Sequence, residues 1–258
     1  MERENVVKSV SRALDIITIV SMKKGGIGVT EIAKQIDINK SSVYRILSTL
    51  VQYGYIEQDS ETGRYKLGYK FLEVSTKLLD SIDLREEAKP FLLELENETN
   101  EVIHLVVYDQ GEVVYIEKLE GNETLRMHSK VGKRAPMHCT SVGKAILAHL
   151  PSSVVLEILE RRGMAMHTEH TITDKDQFLK ELIQVKQKGY ALDLEENETG
   201  ITCIAAPIFD HLGKVIAAIS ISGPTIRMTD ERMESLQDRM IEIGKQISAR
   251  LGYVSRIN

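Results

Sequence analysis

The strongest constraint on the fold is a pair of amphipathic segments separated by a tight turn near the start of the chain. Residues 29–36 and Lys40–Tyr53 place apolar side chains at helical spacing, and Asp37-Ile38-Asn39 between them predicts a turn with Asn39 as a helix N-cap. A longer helix is predicted before them, over Val6–Met22. Its predicted buried face carries Val6, Val10, Ala13, Leu14, Ile17 and Val20.

Two short strands, Tyr55–Gln58 and Arg64–Leu67, complete the order helix, turn, helix, hairpin. This order is typical of a winged helix-turn-helix, whose second helix enters the major groove of DNA. On the outer face of that helix, Arg45 is the side chain able to make a bidentate contact to guanine. Arg64 and Lys66 lie on the predicted wing, where they would meet phosphates or the minor groove. The predicted DNA-binding residues are Ser41, Ser42, Tyr44, Arg45, Ser48, Thr49, Arg64 and Lys66.

The charge distribution separates this front end from the remainder of the chain. Residues 1–70 hold 11 Lys and Arg against 8 Asp and Glu, whereas residues 71–258 hold 22 against 30. A basic front end before an acidic body indicates two separate roles. A winged unit can also dock proteins, but the serine-rich outer face lacks the aromatic or aliphatic anchors that a partner surface usually offers.

The remainder of the chain predicts an α+β fold with an antiparallel sheet. An amphipathic helix over Tyr69–Ser81 is the natural connector to this second part. A helix over Leu84–Thr99 precedes a hairpin with strands at residues 102–108 and 113–117. The other predicted elements are helices near 141–149, 152–161 and 174–188, strands near 202–209 and 215–222, and a last helix over Asp230–Leu251.

Composition excludes several classes of protein. The chain is 42% hydrophobic and 28% charged, which excludes a disordered or collagen-like chain. It has no apolar run of the length that a membrane helix needs, and its first residues lack the apolar core of a signal peptide. We therefore expect a cytoplasmic protein with no membrane partner. Cys139 and Cys203 are too few for a disulfide framework and are expected to be reduced.

A series of motifs along the whole chain resembles the IclR family of bacterial transcription regulators. In the first part the motifs are Val7–Asp15, Thr30–Ala33 and Lys40–Leu47. In the second part they are Gly132–His138, Ser141–Ala145, Gly189–Ala191, Glu195-Glu196, Gly200–Pro207 and Ile219–Pro224. The resemblance implies a winged helix-turn-helix domain over residues 1–68, a linker helix over 69–82 and a GAF-like effector-binding domain over 83–258.

The resemblance also implies a function. Such regulators bind palindromic operators in double-stranded DNA as homodimers or dimers of dimers, and they repress or activate transcription. We favour a repressor whose operator binding is modulated by a small organic acid. Members respond to small organic acids or aromatic compounds, and one subgroup controls the breakdown of pectin-derived sugar acids such as 2-keto-3-deoxygluconate. This chain looks closest to the small-acid responders.

The strand predicted over residues 215–222 marks the floor of a candidate effector pocket. Its period-two pattern places Ile216, Ala218, Ser220 and Ser222 on one face and Val215, Ala217, Ile219 and Ile221 on the other. The residues alone fit either a small-residue face that packs against a helix or a polar pocket floor. The resemblance favours the pocket and implies an effector-binding set of Met127, Ala135, Ser141, Val142, Asp193, Ile201, Cys203, Ser220 and Ser222.

The chemistry of this set favours a hydroxylated carboxylate as the effector. Backbone N–H groups after Thr140, where a helix is predicted to start, would bind a carboxylate, and the family's amide contacts fall on Ser141 and Val142. Asp193 would repel an anionic effector unless it is protonated or occupied by a ligand hydroxyl. A hydroxy or keto acid such as 2-keto-3-deoxygluconate supplies both a carboxylate and a hydroxyl.

An enzyme is the alternative from another class of protein. It would act on the same small acid through Cys139 or Asp193, with the winged domain as a protein-docking module. His138 beside Cys139 also suggests an activated thiol, but adjacent side chains rarely point together. We therefore expect no catalytic residue.

A metal site is the remaining alternative. His167 and His170 lie three residues apart beside Glu169, but the residues that follow predict a loop rather than a helix. The resemblance leaves open a site that involves His128, His138 or His170. We expect neither a metal nor another cofactor.

Overall fold

The computed structural model of the protein describes residues 6–121 and 129–254. The chain divides into two compact units, Met1–Ile82 and Asp83–Asn258. Helices and antiparallel strands occur in both units, and the α+β class predicted from the sequence is confirmed. None of the helices in the described ranges is both long and apolar enough to cross a membrane.

The first unit combines helices with a two-stranded hairpin. Its elements are α1 Lys8–Ser21, α2 Val29–Gln35, α3 Lys40–Gln52, β1 Ile56–Gln58, β2 Tyr65–Leu67 and α4 Lys70–Ser81. The two strands pair antiparallel, with Glu57 opposite Lys66. Ile27, just before α2, adds a backbone bridge to Tyr65. The hairpin is therefore attached to the helical core in the manner of a wing.

The core of the first unit corrects the predicted inner face of α1. Ile16 and Val20 are buried, whereas the side chains of Val6, Val10 and Leu14 are more than half exposed. Because α1 carries apolar residues around most of its circumference, its periodicity alone cannot select the side that packs against α3 and β2. The prediction is confirmed for Val20 and wrong for Val6, Val10 and Leu14.

The second unit is built on a six-stranded antiparallel sheet with the strand order β5-β4-β3-β8-β7-β6. Its strands are β3 Val102–Asp109, β4 Glu112–Leu119, β5 Arg134–Pro136, β6 Ala191–Leu194, β7 Ile201–Phe209 and β8 Val215–Pro224. Its helices are α5 Leu84–Thr99, α6 Ser141–Leu147, α7 Ser152–Arg162, α8 Lys175–Lys188 and α9 Asp230–Arg250.

The helices of the second unit cover both faces of the sheet. On one face, α6, α7 and α8 form a common core with sheet residues such as Ala205 and Ala218. On the other face, Gly244 of α9 lies against the side chain of Ala206 and the backbone of Pro207. Since neighbouring residues of a strand point to opposite faces, Ala205 and Ala206 confirm this division.

The sheet differs from the sequence prediction in three details, namely the strands β5 and β6, which were not predicted, and the face of Val215. β5 and β6 are edge strands of three and four residues, too short to show the alternation by which the longer strands were predicted. The register of β7 and β8 shifts beside Phe209, where a bulge inserts one residue into β8. Val215 therefore packs in the same core as Ala218, and its predicted place on the opposite face is wrong.

Candidate functional site

The outer face of α3 is exposed along its length. Asn39 caps the helix, because its side chain accepts a hydrogen bond from the backbone N–H of Ser42 at 2.8 Å, as predicted. Val43 and Leu47 are buried, so the opposite side points to solvent. The predicted DNA-binding residues of α3 are all exposed except the half-buried Ser42; the others are Ser41, Tyr44, Arg45, Ser48 and Thr49.

Two hydroxyl groups on this face are already engaged within α3. Ser41 donates a hydrogen bond to the Asn39 side chain at 2.9 Å, and Thr49 donates to the backbone carbonyl of Arg45 at 3.1 Å. The exposed guanidinium of Arg45 has no ion-pair partner among the residues that the structure describes. Its five N–H donors are available to an external acceptor.

Helix α1 contributes two residues to the same surface that the sequence analysis did not predict. Ser9 and Arg12 line a depression of about 320 Å³ together with Ser42, Arg45 and Thr49. Residues three apart in a helix share a side, which is the signal that could have identified Ser9 and Arg12. A second guanidinium therefore borders the outer face of α3.

The two basic residues of the hairpin have partners within the first unit. Arg64 donates a hydrogen bond to the backbone carbonyl of Gly26 at 3.3 Å. Lys66 lies 3.6 Å from the carboxylate of Glu57 on the paired strand. Both side chains are exposed, so these contacts leave part of each cationic group open to solvent.

The second unit contains a cavity of about 180 Å³ between the sheet and the start of α6. Every described member of the predicted effector-binding set lines it, namely Ala135, Ser141, Val142, Asp193, Ile201, Cys203, Ser220 and Ser222. Met127, the ninth predicted residue, lies outside the described residues. The structure thus brings together residues from four strands and one helix that are far apart in sequence.

The register of the sheet explains why three of these residues meet. Asp193 of β6 pairs with Cys203 of β7, which pairs in turn with Ser222 of β8. Directly paired residues of antiparallel strands share a face, so the three side chains form a row across the sheet. Ser220 lies two residues before Ser222 and therefore points to the same side.

His104 and Tyr115 line the same cavity and were not predicted from the sequence. His104 of β3 pairs with Ser220 of β8, and its Nε2 lies 2.7 Å from the hydroxyl of Ser129. Burial lowers the pKa of His104 to about 3, so the neutral ring offers one hydrogen-bond donor and one acceptor. The signal that could have identified it is a single polar residue within the apolar run of residues 102–107.

Asp193 is buried and held by its neighbours in the following turn. Its Oδ1 accepts hydrogen bonds from the backbone N–H groups of Glu196 at 2.8 Å and Asn197 at 3.3 Å. Burial and the negative charge of Glu196 raise the pKa of Asp193 to about 7, although Glu196 is itself paired with the buried Lys144. Asp193 can therefore be protonated at neutral pH, and a protonated carboxyl donates a hydrogen bond to an anion.

Comparisons with known proteins decide the family. Residues 9–60 match the family described as IclR helix-turn-helix domain, and residues 76–249 match the family described as bacterial transcriptional regulator IclR C-terminal. The chain belongs to the IclR family. The resemblance found in the sequence motifs is thereby confirmed.

Named IclR-family proteins resemble the chain over nearly its whole length. The HTH-type transcriptional regulator KdgR of Escherichia coli (strain K12) is 38% identical over 247 residues, which are 95% of this chain and 94% of KdgR. The transcriptional repressor IclR of the same strain is 32% identical over 248 residues, 95% of this chain and 90% of that protein. The crystal structure of the Thermotoga maritima IclR matches with a TM-score of 0.64 and 34% sequence identity. The match covers 95% of this chain and 99% of that chain.

Membership of the IclR family removes the enzyme alternative, because these relatives are transcription regulators. The chemistry of the two thiols agrees with this assignment. Burial raises the pKa of Cys139 to about 12 and that of Cys203 well above its usual range. Neither residue therefore supplies a thiolate nucleophile at neutral pH.

The raised pKa of Asp193 predicts a pH-dependent stability for this IclR-family protein. The folded protein takes up the proton near pH 7 and the unfolded chain near pH 3.8, so stability rises as the pH falls between these values. From pH 8 to pH 5.5 we expect the free energy of unfolding of wild type to rise by about 2 kcal/mol relative to that of Asp193→Asn, because each pH unit below about 7 adds about 1.4 kcal/mol. Urea unfolding of both proteins at the two pH values measures the gain, and a difference independent of pH contradicts it.

Proposed function

We propose that this IclR-family regulator is a repressor whose operator affinity is set by a small hydroxylated or keto carboxylate bound in the cavity of the second unit. The observation that carries the effector part is the convergence of Asp193, Ser220 and Ser222 with the start of α6 around one cavity. A repressor rather than an activator is supported by the repressor named among the relatives.

In this proposal the first unit, called the winged unit below, binds DNA through α3. Arg45 makes the bidentate contact to guanine in the major groove, which is the commonest specific contact of an arginine. The hydroxyl groups of α3 and the side chain of Tyr44 bind phosphates or base edges beside it, and Arg64 and Lys66 bind the backbone from the wing. A homodimer presents two copies of α3, which suits the two half-sites of a palindromic operator.

Arg12 supplies a phosphate contact in this arrangement, because it borders the same depression as Arg45. Arg12→Ala is expected to weaken binding to every DNA sequence by a similar factor and to reduce the slope of log K against log salt concentration by about 0.9. Fluorescence anisotropy of a labelled duplex at several salt concentrations measures both quantities. Arg250→Ala, in the second unit, is the control, and an unchanged salt slope for Arg12→Ala rejects the contact.

The polar groups of the cavity support a ligand with a carboxylate and a hydroxyl or keto oxygen. Thr140 caps α6 by accepting the N–H of Gly143, and the N–H groups of Ser141 and Val142 have no carbonyl within the helix to bind. These two N–H groups are proposed to bind the carboxylate. Asp193 and the two serines of β8 bind the hydroxyl or keto oxygen, and 2-keto-3-deoxygluconate has the required groups.

Thermal unfolding against a panel of small acids tests the effector part directly. The panel contains 2-keto-3-deoxygluconate, glyoxylate, pyruvate, a dicarboxylate and an aromatic acid. A ligand at 100 times its dissociation constant stabilises the folded protein by about 2.7 kcal/mol, which gives a clear shift of the midpoint. A selective shift with one hydroxy or keto acid supports the proposal, and no shift with any of them rejects it.

Exposed apolar residues of the first unit support self-association. Val10 and Leu14 of α1 and Leu72 and Leu78 of α4 are all more than half exposed in the single chain. Val10 and Leu14 lie four residues apart and so share a side of α1, and a contiguous apolar patch left in solvent marks an interaction surface. We therefore propose a homodimer, or a dimer of dimers, in which residues 69–82 form the linker helix that transmits the effector state.

A regulator that binds chromosomal DNA works in the cytoplasm of a bacterium, so the proposed function also supports a cytoplasmic location.

A further inference from the structure

Three metal-ligating side chains meet where the loop between β5 and α6 approaches the loop between α7 and α8. His138, Cys139 and His167 each offer one ligand atom, and these atoms lie within 4.8 Å of one another. The adjacent residues His138 and Cys139, which were expected to point apart, converge on the same place. We propose that the three side chains form a binding site for Zn²⁺ or a similar thiophilic divalent cation.

The donor set selects the class of cation. One thiolate and two imidazole nitrogens are ligands that zinc prefers, and three protein ligands leave a fourth tetrahedral position for water. Bonds of about 2.3 Å to sulfur and 2.1 Å to nitrogen place neighbouring donors roughly 3.3–3.6 Å apart. A small closure of the present arrangement reaches these separations. Hard cations such as Mg²⁺ and Ca²⁺ prefer oxygen donors and do not suit the site.

The hydrogen bond of His138 prepares its ring for a cation. Its Nε2 lies 3.0 Å from the backbone carbonyl of Ala165. Because a carbonyl only accepts hydrogen bonds, Nε2 carries the hydrogen and Nδ1 keeps its lone pair free. Metal-bound histidines usually donate their second N–H to such a group, which orients the ring and raises its basicity.

The side chain of Thr171 fixes the backbone of His167, although the side chain of His167 is exposed. The hydroxyl of Thr171 accepts the N–H of His167 at 3.0 Å and donates to the carbonyl of Glu196 at 2.6 Å. The ring centroids of His138 and His167 lie 5.9 Å apart. Both histidines line a cavity of about 160 Å³ through which solvent can supply the fourth ligand.

The electrostatic surroundings also favour a cation. The negative charge of Glu196 acts on the buried Cys139 more strongly than the positive charge of Lys144. One carboxylate oxygen of Glu196 has no hydrogen-bond partner within the described part of the chain. On binding, the thiol releases its proton to solvent, and the metal–thiolate bond replaces the contact of Cys139 Sγ with Asn197 Oδ1 at 3.6 Å.

Titration of the untagged full-length protein with Co²⁺ tests the proposal, since Co²⁺ reports its ligands by absorption. We expect one equivalent to produce a thiolate-to-cobalt charge-transfer band and the visible bands of a tetrahedral ion, and Zn²⁺ to displace it. Cys139→Ala is expected to abolish the charge-transfer band, whereas Cys203→Ala retains it. His167→Ala, at an exposed position, is expected to weaken binding at least about tenfold.

His170→Ala is the matched control for His167→Ala, because both are exposed histidines of the same segment. It is expected to bind Co²⁺ as wild type does. A titration without a charge-transfer band overturns the proposal, as does an equal affinity of wild type and His167→Ala. The His167 comparison keeps the test decisive even where Cys139→Ala fails to fold. Neither outcome depends on the effector or on DNA, so the proposed function is tested separately.

Discussion

Replacing Arg45 with alanine is expected to weaken binding of an operator duplex roughly 5- to 150-fold while leaving binding of the acid unchanged. A good bidentate contact to guanine contributes about 1–3 kcal/mol, which corresponds to that range. Arg45 is exposed on α3, on the side away from the buried Val43 and Leu47. Its removal leaves the helix core intact, so the loss is confined to DNA binding. Fluorescence anisotropy against a palindromic duplex selected by the protein from a random pool measures the effect.

Two further variants separate the possible roles of Arg45. Arg45→Lys keeps the charge but loses the bidentate geometry, so we expect it to retain the salt dependence and lose preference for the guanine. Arg250→Ala removes an arginine of the second unit and is expected to bind DNA as wild type does. An operator affinity unchanged in Arg45→Ala would show that α3 is not the recognition helix.

The second large effect is expected at the proposed effector cavity of the second unit. Asp193→Ala should weaken binding of the acid about 10- to 150-fold, because a hydrogen bond to a charged group contributes about 1.5–3 kcal/mol. Asp193 lies in the row that continues through Cys203 and Ser222, so no other carboxylate of that row can replace it. Isothermal titration with the acid selected by the thermal panel measures the loss.

Matched variants distinguish loss of a ligand contact from loss of folding. Ser220→Ala, like Asp193→Ala, is expected to weaken binding of the acid. Asp176→Ala and Ser235→Ala remove the same chemical groups from exposed positions of the second unit and should bind as wild type does. If a folded Asp193→Ala protein bound the acid with the affinity of wild type, the effector would bind elsewhere.

Local pattern was sufficient to predict most of the first unit. The turn ending in Asn39 and the stripe of α3 that includes Val43 and Leu47 are short-range features, and both are confirmed. The inner face of α1 could not be predicted in the same way. Its apolar residues surround the helix, and only packing against α3 and β2 shows that Ile16 rather than Leu14 is buried.

The candidate effector cavity was harder to predict because it depends on strand register. Period two places Ser220 and Ser222 on one face without further information. Asp193 lies on a four-residue edge strand that alternation cannot reveal, and its place in the set came from the family resemblance. His104 joins the cavity only because β3 pairs with β8, a pairing between residues more than 100 positions apart.

The chemical state of Asp193 could not be obtained from the sequence at all. A carboxylate facing an anionic ligand presented a repulsion that the residue types alone left unresolved. Burial together with the nearby Glu196 raises the pKa of Asp193 to about 7, which allows a protonated donor at neutral pH. Burial is a property of the folded core, and the residues that produce it come from several elements.

The central claim is that the acid in the cavity changes the affinity of the winged unit for its operator. Operator affinity measured by anisotropy with and without a saturating concentration of the acid tests it most directly. We predict that the acid changes the operator affinity 5- to 150-fold, the range of a typical coupling of about 1–3 kcal/mol, and that Asp193→Ala needs an acid concentration at least about 10-fold higher for the same change. Binding of the acid by wild type with an unchanged operator affinity would contradict the account.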